Sequence, residues 1–207
     1  MTGENPFDIY TYTTEQDCFQ FSQEDFDLLM AGCSVRTVKK GETVYSAGDA
    51  NESVFFLREG KVKYHMIYSD GSSRTTAYSM KPGFIGVINF LPGHTSKNYC
   101  TAMTRCEISS CPIQLFLDRV REHGMMDKLF FLLIGASRHI YAVLTALLSE
   151  DRAQLVDMLR NQQMLTLQET ADFVGCSREH VSRICRQLKE EKADRIGAAA
   201  QNNKRDA

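Results

Sequence analysis

Apolar positions along the chain change their spacing near residue 112. From Val35 onward they come in short alternating or β-branched runs separated by glycine: VRTVKKGETVYSAGD, SVFFLREGKVKYHMIYSDG, RTTAYSMKPGFIG and CTAMTRCEIS. Such runs predict many short antiparallel strands closing into a barrel or roll. Asp70-Gly71, between the runs at 61–68 and 74–80, is the strongest local hairpin signal, and Gly41, Gly48, Gly60, Gly71 and Gly83 fall where corners are needed. After Pro112 the apolar spacing lengthens to about three and a half residues. Leu133, Ala136, Ile140, Val143 or Leu144, and Leu147 make one stripe; Phe130, Ile134, Tyr141 and Leu148 make a second. Both lie on a helix predicted over residues 127–149, about 35 Å long at ~1.5 Å per residue. Two stripes imply two partners, the β-domain and the same helix of a second chain. The first stripe, Leu133, Ala136, Ile140, Leu144 and Leu147, is assigned to the dimer contact. A single broad core-facing stripe in a monomer would have the same width.

Residues 166–187, TLQETADFVGCSREHVSRICRQ, carry the next pattern. Thr166-x-x-Glu169 has the form of a capping box, in which each side chain satisfies the other's free backbone N–H. Leu167, Ala171 and Val174 share one face, Gly175 stands where a sharp turn needs positive φ, and Ser177 can cap a second helix. On a wheel of that helix, Val181, Ile184, Cys185 and Leu188 fall in one sector and Arg178, Glu179, Ser182, Arg183 and Arg186 in the opposite one. This is the pattern of a helix-turn-helix with one face in the core and one able to read DNA. Arginine can fork onto guanine O6 and N7, and glutamate can accept from cytosine N4. The plainer reading is an amphipathic helical hairpin whose charged face meets water. A further short helix is predicted over residues 151–160.

Composition narrows the picture. At 207 residues, with 43% hydrophobic and 24% charged, the chain is globular and long enough for one large or two ordinary domains. Its most apolar stretch, 129–148, is interrupted by Arg138 and His139, which argues against a membrane span, and residues 1–13 lack the basic-then-apolar order of a secretion signal. A cytoplasmic location is expected. Seven cysteines, an odd number, do not form the framework of a small secreted domain and are expected to be reduced. Net charge is −2; residues 1–60 carry 11 acids and 4 bases, residues 161–207 carry 7 acids and 8 bases. DNA affinity must therefore come from local geometry, base contacts and dimer avidity rather than from a basic tail.

Lys40-Gly41-Glu42 with Gly48-Asp49, Glu59-Gly60-Lys61-Val62, Pro82-Gly83-Phe84-Ile85-Gly86, and Gly175-Cys176-Ser177-Arg178-Glu179-His180-Val181-Ser182-Arg183 together resemble the CRP/FNR superfamily of bacterial transcription regulators over roughly residues 34–190. The resemblance implies an α+β architecture. Residues 1–33 form an N-terminal arm and short helix, 34–112 a cyclic-nucleotide-binding-like β-roll (jelly roll), 113–149 a linker and long dimerisation helix, and 150–207 a helix-turn-helix domain with a disordered tail. It also implies a homodimer, an effector sensed by the roll, RNA polymerase as a partner, and double-stranded DNA with a two-fold symmetric site of TGTGA or TTGAT half-sites. Glu179, Ser182 and Arg183 then read bases with Arg178 beside them, while His180, Arg186 and Thr166 complete the DNA set. Where the family continues L-K-E-E-G-L-I into a β-hairpin wing, this chain has Leu188-Lys189-Glu190-Glu191-Lys192-Ala193-Asp194, so a shortened or missing wing is expected; the joint from Arg160 to Thr166 is also short.

The sensing domain departs from cyclic-nucleotide-binding relatives, which place a glutamate after the F-G pair and an arginine about nine residues on. Val87 and Ser96 stand there, and Lys97 replaces the arginine only with a one-residue slip. A cyclic phosphate would keep unpaired acceptors, at roughly 1–3 kcal/mol each, so cyclic AMP is disfavoured. Phe84, Ile85, Gly86 and Val87, with Asn89, Lys97 and Tyr99 as polar handles, compose a pocket for a small aromatic or apolar acid. Alternatively they pack the roll's own interior. An effector would act by shifting a hinge near residues 149–151.

Iron–sulfur relatives carry an N-terminal cysteine cluster, whereas only Cys18 and Cys33 occur there; haem ligation by His65 or His94 lacks a matching second ligand. Neither cofactor, nor a metal, is expected. Cys100 and Cys106 share a strand parity that Cys111 does not, and redox switching through Cys18 or Cys111, or haem sensing, stays open as an alternative control. No Ser-His-Asp set, H-E-x-x-H, P-loop or carboxylate pair points to catalysis. The remaining alternative is a ligand-binding or interaction module with weakened DNA binding.

Overall fold

The computed structural model describes residues 21–148, 152–161 and 165–203, in two compact units that divide at Val143/Leu144. The expected hinge at 149–151, the 1–20 arm with Cys18, and most of the 160–166 joint lie outside the described residues. Among the described residues no helix is long and apolar enough to cross a membrane.

The first unit opens with α1 (Gln23–Leu29), started by a Ser22/Asp25 capping box. Eight strands follow: β1 (Ser34–Val38), β2 (Thr43–Tyr45), β3 (Ser53–Glu59), β4 (Val62–Ile67), β5 (Ser73–Ser79), β6 (Gly83–Ile85), β7 (Tyr99–Ala102) and β8 (Cys106–Pro112). They pair antiparallel into two four-stranded sheets, β1-β8-β3-β6 and β2-β7-β4-β5. The hairpin expected at Asp70-Gly71 joins β4 to β5, closed by Tyr68 N–H to Ser72 O at 2.9 Å, with Gly71 at φ 80°.

The sheets face each other across Val38, Leu57, Ile85, Cys106 and Ile108 from one and Val44, Tyr45, Val62, Tyr64, Cys100 and Ala102 from the other. The second core lies on the outer face of the first sheet. There Val54, Phe56 and Cys111 meet Leu29 and Met30 of the α1 end, Phe116 and Val120 of α2 (Ile113–Glu122), and Leu129 of α3 (Met126–Leu148). β3 is buried on both faces, which accounts for its unbroken run SVFFL. The cysteine parity holds: Cys100 and Cys106 point between the sheets, Cys111 toward the helices.

The helix α3 has the 23 residues expected of it, and the stripe assigned to the dimer contact begins on its inward face. Leu133, assigned to the dimer contact, packs with Leu132 against the helix-side core, and Ala136 is half-buried. The outward face carries Phe130 (56% exposed), Ile134 (41%) and Tyr141 (74%). Helical rotation explains this: Leu132 and Leu133 share the inward face with Leu129, which is 5% exposed, leaving Phe130, Ile134 and Tyr141 outside. The side chains of Ile140, Leu144 and Leu147 are outside the described residues. In the sequence, Leu144 and Leu148 continue the 3–4 spacing of the outward stripe.

The second unit holds α4 (Arg152–Asn161), α5 (Leu167–Val174) and α6 (Arg178–Asn203). Leu155, Val156, Leu159, Leu165, Ala171, Phe173, Val174, Val181 and Ile184 are buried in it. Leu188 and Cys185, expected in this core, are only half-buried. Among the described residues no strand follows β8; the positions after Leu188, where a shortened or missing wing is expected, continue α6. The disordered tail expected after it is instead helix to Asn203, since Lys, Glu, Ala, Arg and Gln all favour continuation and no helix-stopping proline intervenes.

Candidate DNA interface and effector cleft

The reading head is built from its caps. Thr166 Oγ1 accepts from Glu169 N–H at 3.2 Å while Glu169 Oε2 accepts from Thr166 N–H at 2.6 Å. Gly175 closes α5 at φ 72°, ψ 44°, the left-handed position, and its N–H reaches Ala171 O at 2.9 Å. Ser177 Oγ accepts from His180 N–H at 3.2 Å and so starts α6. Val181 and Ile184 then turn inward, while Arg178, Glu179, Arg183 and Arg186 are exposed and Ser182 is half-exposed on the opposite face. Arg183 donates to His180 Nδ1 at 2.8 Å, which fixes one branch of its guanidinium along the helix surface. The Glu179 carboxyl is held below the usual carboxylate range by its own backbone N–H, the Ser177 hydroxyl and the Arg178 charge, so it is an acceptor at neutral pH. Thr166 is exposed at the N-terminus of α5, where the free N–H groups of the first turn suit an anion.

In the roll, a cleft of about 170 Å³ opens between the β2–β3 connection and the short 3-10 turn Val87–Asn89 that follows β6. Its walls include Tyr45, Asn51, Ile85, Gly86, Asn89 and Ser96, with Asp49 and Glu52 also lining it and no lysine or arginine. Ser96 donates to Asn51 Oδ1 at 2.9 Å, and Tyr45 Oη to Asn98 Oδ1 at 3.4 Å. Burial pushes the Tyr45 phenol up, so it stays neutral; the Asn89 amide bears on it in the opposite sense. Asn89 Nδ2 is itself buried without a partner at hydrogen-bonding geometry. Gly86 is required twice: its φ is 69°, and a Cβ would come within 2.8 Å of Tyr45 Oη. Gly86→Ala is expected to destabilise the roll by roughly 1–3 kcal/mol, read as a lower urea midpoint.

Three residues expected of the pocket, Ile85, Gly86 and Asn89, line this cleft; four do not. Strand alternation carries Phe84 to the opposite face, into edge-to-face contact with Phe56, Phe90 and Phe116 at 5.3–5.7 Å. Val87 is half-buried in the 3-10 turn outside the cleft. Lys97 is exposed because it lies between the buried Ser96 and Asn98, and Tyr99 stacks on His65 at 5.3 Å on the outer side. Tyr45, Asn51 and Ser96 were missed because they lie on segments far apart in sequence, brought together by Ala50 bridging to Thr95. His65, the haem ligand considered from sequence, contacts Ser73 Oγ through Nδ1 at 3.2 Å and Thr101 Oγ1 through Nε2 at 3.0 Å.

Residues 35–123 match the family described as cyclic nucleotide-binding domain, and residues 164–193 match bacterial regulatory proteins of the crp family. The chain belongs to the CRP/FNR superfamily. A global nitrogen regulator from Nostoc sp. is 25% identical over 177 residues, covering 76% of this chain and 79% of that protein. The HTH-type transcriptional regulator ArcR of Staphylococcus epidermidis is 27% identical over 177 residues, with 77% of each covered. Among solved structures, a CooA mutant from Carboxydothermus hydrogenoformans superposes with a TM-score of 0.66 at 18% identity, covering 87% of this chain and 86% of that one; this likeness concerns the fold. The CRP/FNR frame thus runs through both the roll and the reading head.

Proposed function

We propose that this CRP/FNR protein is a cytoplasmic, homodimeric transcription regulator rather than an enzyme, one that reads a two-fold symmetric DNA site under control of a small effector in the roll. The observation that carries the DNA reading is the doubly capped α5–Gly175–α6 pair presenting Arg178, Glu179, Ser182 and Arg183 on one open face. The chain's likeness to a global nitrogen regulator and to an HTH-type transcriptional regulator supports it. Selection of full-length protein against random duplexes tests it. Two inverted half-sites, their centres about one helical turn (~34–36 Å) apart, are the expected product; failure to enrich any sequence would overturn the reading.

The effector reading rests on the Tyr45–Asn51–Asn89–Ser96 cleft. Asp49 and Glu52 beside it, with no cation, disfavour both a cyclic phosphate and the small acid suggested by sequence. Gly86 N–H is also already bonded to Tyr64 Oη at 3.3 Å. A small uncharged or cationic hydrogen-bonding molecule suits the lining, with the Asn89 amide nitrogen available to it. Such an effector acts by binding the DNA-competent arrangement more tightly than the other. No metal, haem or iron–sulfur cluster is assigned a part.

The dimer is placed on the outward stripe of α3. Ile134→Glu sets a charge in the middle of it and is expected to convert the dimer to monomer in sedimentation velocity and to weaken DNA binding through lost avidity. An unchanged sedimentation coefficient at micromolar concentration would move the contact elsewhere.

A further inference from the structure

The β1–β8 ladder runs with Ser34 opposite Ser110 and Val35 opposite Ser109. One step outward along the same register, Cys33 falls opposite Cys111. Directly opposed residues of an antiparallel pair have Cα atoms about 4.5 or 5.5 Å apart, and both values lie inside the roughly 4.4–6.8 Å window a disulfide requires. The side chains also point the same way: Cys111 is fully buried in the helix-side core, and Cys33 is half-buried against that core. Both are free thiols. Burial, with the Cys33 thiol beside it, pushes the Cys111 thiol up to about 12.

The two sulfurs are not equivalent. Arg119 on α2 donates through Nη1 to Cys33 Sγ at 3.4 Å and to Leu29 O at 2.7 Å, so a fixed cation stands against Cys33. A thiolate beside a guanidinium and within reach of solvent is the setting in which cysteine reacts, whereas a buried protonated thiol is a resolving partner.

We propose that Cys33 and Cys111 are a redox-modification site that closes to a cross-strand disulfide with a hydroperoxide as oxidant. Cys33 sulfur, as thiolate, attacks the peroxide; the O–O bond breaks, the leaving oxygen takes a proton, and Cys33 becomes a sulfenic acid. Cys111 sulfur then attacks Cys33 sulfur, the S–S bond forms, the S–O bond breaks, and the departing hydroxide leaves as water with the Cys111 proton. Two thiols are oxidised by two electrons and one peroxide is reduced to water and an alcohol, or to two waters when the oxidant is hydrogen peroxide. The new bond ties the exit of α1 to β8 just before β8 runs into α2.

The test uses the full chain, reduced with dithiothreitol, freed of it, exposed to hydrogen peroxide, quenched in acid, alkylated with N-ethylmaleimide and mapped by mass spectrometry. The expected product is a peptide pair joined through Cys33 and Cys111, lighter than the two reduced peptides by two hydrogen atoms and separated again by dithiothreitol. Cys33→Ser, a near-isosteric change at a half-exposed position, should abolish that pair while leaving the far-ultraviolet circular dichroism unchanged. Arg119→Gln, which keeps a donor but removes the charge, should slow alkylation of Cys33 in the reduced protein several-fold. Recovery of both cysteines as maleimide adducts after peroxide treatment, oxidation of Cys33 to an unlinked sulfinic acid, or linkage of either cysteine to a different one would each overturn the assignment.

Discussion

Arg183→Ala is expected to lower affinity for the selected site by about 5- to 150-fold per half-site, the range corresponding to the ~1–3 kcal/mol that a bidentate arginine–guanine contact discriminates. In a dimer the loss occurs twice. Arg183 is exposed and its guanidinium donates along the helix surface to His180, away from the core, so removing it leaves the buried Val181 and Ile184 in place. The folded unit should therefore melt as before, which separates loss of reading from loss of structure. Titration at several salt concentrations supplies the second discriminant. A base contact relaxes specificity at one position of the half-site, whereas a phosphate contact weakens all sequences equally and lowers the salt slope by about one. Uniform weakening with a reduced slope would reassign Arg183 to the backbone.

The largest expected effect on stability is Phe116→Ala, at roughly 3–5 kcal/mol. Phe116 is fully buried, meets Phe84 at 5.3 Å and Phe90 at 5.8 Å, and Phe84 in turn meets Phe21, Phe26 and Phe56. Truncation leaves a void against the rings of Phe84 on β6 and Phe90 after the 3-10 turn, so its walls cannot collapse inward without moving β6 or α2. Urea denaturation should show a large fall in midpoint with little change in slope. A cost below about 1 kcal/mol, the level of an exposed substitution, would mean that this core is far looser than its packing implies.

What could be read from sequence divides along physical lines. The caps of the reading head are local, each set by residues within four positions of one another, and Thr166, Glu169, Gly175 and Ser177 all do what their spacing predicts. The length of α3 was legible for the same reason, because period and breakers are local signals. Which stripe of α3 faces inward was not, since two apolar stripes of similar size differ only in what packs on them. The pocket was legible in part. Ile85, Gly86 and Asn89 sit on one segment, whereas Tyr45, Asn51 and Ser96 arrive through pairing of the 45–53 and 94–98 segments. Phe84 and Lys97 lie away from the cleft; a run of alternating residues shows parity but not which parity is the inside. The helix beyond Leu188 reflects propensity winning where the family's turn glycine is replaced by Lys192.

The double-sided burial of β3 has a kinetic and a thermodynamic consequence. Phe55 and Leu57 belong to the space between the sheets, Val54 and Phe56 to the space under the helices. A slip of one residue puts Phe55 in the Val54 hole with Arg58 in that of Leu57, or Phe56 in the Leu57 hole with Ser53 in that of Val54, so misregistered pairings are penalised on both faces. For the same reason neither core can dissolve while the other survives. The roll and its covering helices should melt as one cooperative foldon, with amides of β3 exchanging only through global opening.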